Sequence, residues 1–333
     1  MKKALSLVLI IALAVSLFAF AGCSNDKPQA DNGETKANTE LLATVKTGTG
    51  STTGTYYAFT TAVGQILATD SYKFEVISTG GSQANIEGIE DGDYNMAIVQ
   101  NDVMNYAYKG TNGFAAPITS FSAIGCVYPE ICQLIATEAS GIKSVADLKG
   151  KTVAVGDAGS GVYYNAQQIL AAAGLDIDKD INKVAASFGD SATQLKDGSI
   201  DAAFITAGTP TTAITELATS TKVVAVDLGK DVIEKLKVDY PFYAEYEMTS
   251  KDYDFIKEPV STVAIMATFV VSNELSEDQV YEITKNLWEK QEEIATAHAK
   301  GAEMTTEKAV TACGDVPLHP GAEKYYKEAG IIA

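Results

Sequence analysis

The chain has 333 residues, of which 46% are hydrophobic, and a formal net charge of −18 at pH 7, enough for two compact lobes with their own cores. That acidic balance argues against nucleic acid as a partner, because its binders present a basic face. All 25 basic residues are lysine, so no guanidinium fork is available for a ligand carboxylate; backbone amides, hydroxyls or a lysine must hold it.

Lys2 and Lys3 precede an uncharged run from Ala4 to Phe20 that ends in Ala21-Gly22-Cys23. The pattern predicts a signal peptide over 1–22, because the run is short for a membrane span and small residues close it. The ending resembles a bacterial lipobox, which implies lipid on the sulfur of Cys23 and a protein anchored to the outer face of the cell membrane. Residues 23–40 are rich in Asn, Asp, Lys, Gln and Thr and read as a flexible tether.

A strand over Leu41–Thr47 leads into a Gly/Thr loop and a helix from Tyr56 to Ala68, with Phe59, Val63, Ile66 and Leu67 at helical spacing. A strand over Phe74–Ser78 follows, then Thr79-Gly80-Gly81-Ser82 with Ser82 as N-cap of a helix through Glu90, and a buried strand over Met96–Val99. Ser122–Ala136 reads as a long strand interrupted at Tyr128-Pro129-Glu130, a crossover between lobes. A short helix (Ser144–Gly150), a strand (Thr152–Val155), a helix to Ala173, a strand (Lys183–Ser187), a helix to Lys196 and a strand (Ala202–Thr206) repeat the pattern. A helix beginning at Thr209-Pro210 and a strand over Lys222–Val226 come next. Val263–Val271 is the return crossover, and a capping box at Ser276–Gln279 precedes one long helix carrying Val280, Ile283, Leu287 and Ile294. Strands alternating with helices at this spacing predict βαβ units, a mostly parallel α/β sheet and a hinged clamshell. The expected boundaries are 41–125 and 126–265 for the two lobes, with 266–333 returning to the first.

Two segments occur twice at nearly one offset. Gly50-Ser51-Thr52-Thr53-Gly54-Thr55-Tyr56-Tyr57 is echoed by Gly159-Ser160-Gly161-Val162-Tyr163-Tyr164, and Asp91-Gly92-Asp93-Tyr94 through Gln100 by Asp197-Gly198-Ser199-Ile200 through Thr206. Two lobes that each open with a Gly/Ser loop at a helix start predict a cleft lined by N–H groups and suited to a small anion. The first loop has no Lys beside Ser/Thr after its last Gly, as a P-loop requires, and its glycines are misspaced for a dinucleotide fingerprint.

These motifs resemble the TAXI family, the solute receptors of TRAP transporters. The matching segments are Thr47-Gly48-Thr49-Gly50, Gly54-Thr55-Tyr56-Tyr57, Thr79-Gly80-Gly81-Ser82, Gln100-Asn101-Asp102-Val103, Tyr128-Pro129-Glu130, Ser140 to Gly150, Gly159-Ser160-Gly161 and Pro317-Leu318-His319-Pro320-Gly321-Ala322. The resemblance implies a type II periplasmic-binding-protein fold, a small carboxylate ligand with glutamate or a related dicarboxylate foremost, and delivery to a permease that couples uptake to an ion gradient. A receptor for an ATP-driven importer or a sensor kinase is the alternative; an enzyme fails on the missing nucleophile–base pair.

The candidate ligand contacts are Thr49, Gly50, Thr55, Gly80, Gly81 and Ser82 from the first lobe and Ser160, Gly161 and Gly208 from the second. Tyr56 and Tyr128 are candidate walls, whereas Tyr57 is assigned to the core. Gln100, Asp102 and Thr206 lie at or just beyond strand C-termini, where open α/β sheets bind ligands. Asp102 is read equally as a helix N-cap or as an acid facing a ligand ammonium group. No cofactor, metal or catalytic residue is predicted: the acidic run Asp176–Asp180 lacks the Gly and bidentate Glu of a calcium loop. His298 and His319 read as structural, Cys126, Cys132 and Cys313 as buried free thiols, and the receptor as a monomer.

Overall fold

The alternation of strand and helix builds one mixed sheet of ten strands. The protein is described by a computed structural model over residues 41–333; the expected signal peptide, tether and Cys23 lie outside the described residues. In the first half, β1 (Thr44–Gly48), β2 (Lys73–Ile77) and β3 (Met96–Gln100) run parallel in the order β2-β1-β3. The helices α1 (Thr55–Leu67), α2 (Ser82–Glu90) and α3 (Asn101–Lys109) follow them in turn. The second half repeats the order as β6-β5-β7, from β5 (Thr152–Ala154), β6 (Asn182–Val184) and β7 (Ala202–Ala207), with α4 (Gly161–Ala172) and α5 (Phe188–Asp197) between them. The duplicated sequence is thus a duplicated βαβαβ unit.

Two long antiparallel strands join the halves. β4 (Phe121–Thr137) pairs with β10 (Val260–Ser272) along its first part and with β7 from Ile131 onward. The predicted interruption at Tyr128-Pro129-Glu130 does not occur, and β4 is continuous for 17 residues. Pro129 is accommodated because β7 has not yet begun to pair, and its partner Met266 donates its own N–H to Asn101 Oδ1. The shift of register between Ala267 and Thr268 lies beside it.

After α6 (Thr212–Ala218), β8 (Val223–Ala225) adds to β4, and after α7 (Lys230–Asp239), β9 (Ala244–Met248) adds to β10. The expected long C-terminal helix is two, α8 (Glu277–Glu289) and α9 (Gln291–Ala297), broken at Lys290. Tertiary bonds hold the break: Lys290 Nζ reaches the carbonyl of Ile66, and Gln291 Nε2 those of Gly301 and Met304. The chain ends with α10 (Thr306–Thr311) and α11 (Pro320–Glu328), which rests on α8.

Each half has its own apolar clusters. Phe59, Leu67, Phe269, Leu287, Trp288 and Tyr326 pack in the first, and Leu134, Leu148, Ile169, Leu170 and Leu236 in the second. Cys126, Cys132 and Cys313 are free and buried. The two histidines cap helices: Nδ1 of His298 accepts from Lys300 N–H and that of His319 from Gly321 N–H. The carboxylates of Asp176 and Asp180 are engaged by local N–H groups and by Lys179 and Lys149. Tyr57, assigned to the core, is partly exposed and joins no apolar cluster.

One buried side chain fixes how α2 meets the sheet. Asn85 is fully buried; its amide donates to the carbonyls of Thr49 and Ile98, and its oxygen accepts from the Thr79 hydroxyl. It sits tightly enough that a Cβ on Gly48 would meet its Oδ1 at 2.7 Å. Asn85→Leu leaves two buried carbonyls without these donors, and an expected loss of about 2–4 kcal/mol would be read from urea denaturation.

Candidate functional site

The C-terminal ends of β1, β3 and β7 and the loop between β5 and α4 meet at a cavity between the halves. Its lining includes Gly50, Thr55, Tyr56, Gly80, Gly81, Ser82, Gln100, Ser160, Gly161 and Thr206 from the sequence-based set. The space between lining atoms is about 480 Å³, of which about 40 Å³ admits the centre of a water molecule. That is room for a ligand of a few heavy atoms.

Glycine permits this approach. A Cβ on Gly80 would lie 2.3 Å from the carbonyl oxygen of Ala158, and one on Gly161 2.0 Å from Gln100 Oε1. Gly81 adopts φ +115°, a conformation disfavoured for other residues, and faces Ser160. Hydrogen bonds also cross directly between the halves. The Thr55 hydroxyl donates to the Gly208 carbonyl (2.9 Å), Ala84 N–H to that of Gly159 (3.0 Å), and the Tyr164 hydroxyl to Gln83 Oε1 (2.8 Å).

Four helices of 9 to 13 residues, α1, α2, α4 and α5, begin at this cavity. Among the described residues, the N–H groups of Thr55, Tyr56, Ser82, Gln83 and Gly161 reach no protein acceptor. Free N–H groups at helix starts, reinforced by the helix dipoles, favour an anion. Ser82 is not the N-cap that the sequence suggested: Gly81 holds that position, and Ser82 Oγ accepts from the N–H of Gln100 (3.0 Å). Ser160 caps α4 by accepting from Val162 N–H.

Four sequence candidates lie outside the lining. Thr49 is buried and donates to the Ile77 carbonyl. Gly208 presents its carbonyl to the hydroxyls of Thr55 and Thr211, holding the rim rather than facing the space. Tyr128 is fully buried in the first core, edge-on to Phe59 at 4.9 Å. Asp102 is neither N-cap nor cavity acid. Gln100 holds the cap position, and Asp102 lies in the first turn of α3, accepting from Val103 N–H and Asn165 Nδ2.

The buried acid that faces the cavity is Glu130, two residues beyond Tyr128 on β4. It is 1% exposed and accepts from the Tyr56 hydroxyl at 2.6 Å. Burial pushes its carboxyl well above the usual carboxylate range, opposed by the Tyr56 hydrogen bond. Ser51, Gly54, Thr79, Asp157, Val162, Ser187, Phe188 and Ala207 complete the lining. Thr79 sits in the Thr/Gly/Ser run before α2, a signal that applied to it as well as to Ser82, and Ser187 is the N-cap of α5. Phe188 belongs because it packs across the halves, its ring 3.1 Å from where a Cβ on Gly54 would stand; only tertiary structure shows that.

The arrangement is two α/β units with a cavity at their junction, the fold shared with a solved structure described as a periplasmic transporter. The chain belongs to the NMT1-like family, whose model matches residues 47–330. A solved structure from Bordetella bronchiseptica RB50 superposes with a TM-score of 0.52 at 17% identity, covering 86% of this chain and 82% of that one. A structure described as a periplasmic transporter gives 0.50 at 15% identity, over 86% and 93%. The periplasmic aliphatic sulphonate binding protein SsuA from Escherichia coli gives 0.44 at 16%, over 79% and 80%. At these identities the likeness to solved structures is one of fold.

Asp102 joins a buried polar chain beside the cavity. Asn165 donates to Asp102 Oδ2 and to Tyr243, Tyr243 to Gln168, and Gln168 to Tyr106, linking α3 to α4. Burial raises the Asp102 carboxyl to about 7. A carboxyl raised in the fold contributes stability below its unfolded value of about 4, and that contribution is lost as pH rises towards 7. Asp102→Asn, with the Asn165 amide turned so that its unpartnered Oδ1 accepts, should flatten stability between pH 4 and 7 by about 4 kcal/mol, measured by urea titration at several pH values.

Proposed function

We propose that this protein is an extracytoplasmic solute receptor that holds a small carboxylate between its lobes and presents it to a membrane permease. The observation that carries the reading is the set of free helix-start N–H groups around one enclosed cavity in a chain without arginine. Those amides, with the hydroxyls of Ser51, Ser82 and Ser160, supply donors to a carboxylate without a side-chain cation. The lobes are residues 41–125 with 266–333, and 126–265, hinged at β4 and β10. Ligand that bonds to both lobes stabilises the closed arrangement over the open one.

Glutamate or a related dicarboxylate or amino acid is the leading ligand, and a TRAP-type ion-coupled permease the leading partner; both readings are supported by the TAXI-like order of motifs. Lipid on Cys23 would keep the receptor at the membrane surface. The solved structure titled a periplasmic transporter shares this fold and is compatible with such a role. Uptake by cells that stops with an ionophore, and persists when ATP is depleted but the gradient held, is the expected outcome; the reverse dependence assigns an ATP-driven importer.

Binding itself is tested by thermal denaturation of the purified full chain with amino acids, C4–C5 dicarboxylates and sugars. A cognate carboxylate at a hundred times its Kd adds about 2.7 kcal/mol and raises the midpoint by several degrees, whereas sugars leave it unchanged. Gly161→Val, which drives a side chain into Gln100, should abolish this shift; an unchanged shift would sink the role given to the α4 helix start.

A further inference from the structure

We infer that Asp102 is a proton-operated latch between the lobes: closure takes up a proton on its carboxyl, so that ligand is held more tightly in acid and released as the pH rises. This rests on the receptor reading and concerns contacts outside the ligand cavity, whose lining does not include Asp102.

Two side-chain hydrogen bonds join α3 to α4 here. Asn165 Nδ2 donates to Asp102 Oδ2 (3.1 Å), and Gln168 Nε2 to the Tyr106 hydroxyl (3.1 Å). Tyr243, just ahead of β9, ties the two α4 amides together, accepting from Asn165 (2.9 Å) and donating to Gln168 Oε1 (2.6 Å). All of these residues are at least nine-tenths buried, and Asp102 and Asn165 are wholly so. Helix α3 belongs to the lobe of residues 41–125, whereas α4 and Tyr243 belong to 126–265. Parting the lobes therefore breaks both bonds and admits water to Asp102.

Nothing in the closed arrangement balances a charge at this position. The carboxyl accepts from Val103 N–H, its own N–H and Asn165, and no lysine or histidine acts on it. The titratable groups that face it are acids, phenols and a thiol: Glu130 and Cys132 from β4, Tyr164 from α4, Tyr243, and Tyr106 on α3 itself. A carboxylate without water or a counter-ion neutralises by taking up a proton, and burial accordingly raises Asp102 to about 7. The bound proton finds an acceptor when the Asn165 amide turns, because Asn165 Oδ1 has no other hydrogen-bond partner.

With the lobes apart, water returns and the carboxyl recovers its ordinary value of about 4. Between these values the open form is ionised and the closed form protonated, so each closure consumes one proton from solvent. The sign follows from the higher value in the closed form. The proton's contribution to closure is complete below about pH 4, falls by up to about tenfold per pH unit, and is gone above about pH 7.

The test titrates glutamate, aspartate and succinate into the purified full chain by calorimetry, for wild type and Asp102→Asn, from pH 5 to pH 8. Asparagine cannot ionise in either form, and taking the ratio of the two proteins' affinities cancels titration of the ligand and of Glu130. For any acid that binds, the ratio of variant to wild-type affinity is expected to rise in the variant's favour by at least about tenfold across this range. A purely structural role for Asp102 shifts the ratio equally at every pH; that result overturns the latch and leaves the receptor reading standing. Binding by none of the three acids overturns the carboxylate reading and this inference with it. If Asp102→Asn does not fold, carbon NMR of the wild-type Asp102 carboxyl decides: its midpoint should lie near 7 with ligand and fall towards 4 without it, and one unchanged midpoint overturns the latch.

Discussion

The phenolic oxygen of Tyr56 lies 2.6 Å from the carboxylate of Glu130, which is almost wholly removed from water, and the cavity is arranged around that contact. A buried carboxylate is tolerated only when hydrogen bonds replace its solvent. Tyr56 does so from the first turn of α1, and beside it Ser82, at the start of α2, accepts from the backbone N–H of Gln100 at the end of β3. The same residues set the edges of the space left for a ligand.

Close backbone approach is the complementary constraint. Free N–H groups serve a small anion only if they come near it from several sides, and side chains at Gly80, Gly81 or Gly161 would hold the halves apart. Where the halves touch, polar contacts such as Thr55 to Gly208 and Tyr164 to Gln83 stand beside apolar ones: Tyr164 stacks on Phe114 and packs with Tyr106. The two long antiparallel strands run between the halves.

Much of this was legible beforehand because it is local. Glycine-rich loops before amphipathic runs, and apolar strands between them, report backbone requirements within a few residues, and the duplication reported the repeated unit. Ten of the fourteen ligand candidates line the cavity because strand ends and helix starts are the parts of a βα unit that gather at one edge. Tyr128, Asp102 and Glu130 were not legible in the same way. Tyr128 and Glu130 are two apart, which on a regular strand places them on one side, yet the former is core and the latter lines the cavity. Their pairing with β10 is regular, Tyr128 with Ala267 and Glu130 with Ile265, so what separates them is what each meets: Phe59 against Tyr128 and the Tyr56 hydroxyl against Glu130. Asp102 was placed correctly on the chain, but the α3–α4 contact encloses it.

The sequence by itself determined the class of fold, the places where helix-start amides would be offered, and the absence of any arginine to compete with them. These follow from short-range rules: glycine's backbone freedom, the periodicity of apolar residues and the chemistry of each side chain. Which acid faces the cavity, which tyrosine lines it and where the last long helix breaks were decided only by tertiary structure. Each depends on residues far apart in the chain, Tyr56 with Glu130 or Lys290 with Ile66, whose meeting is set by how the two halves pack and not by any pattern along one segment.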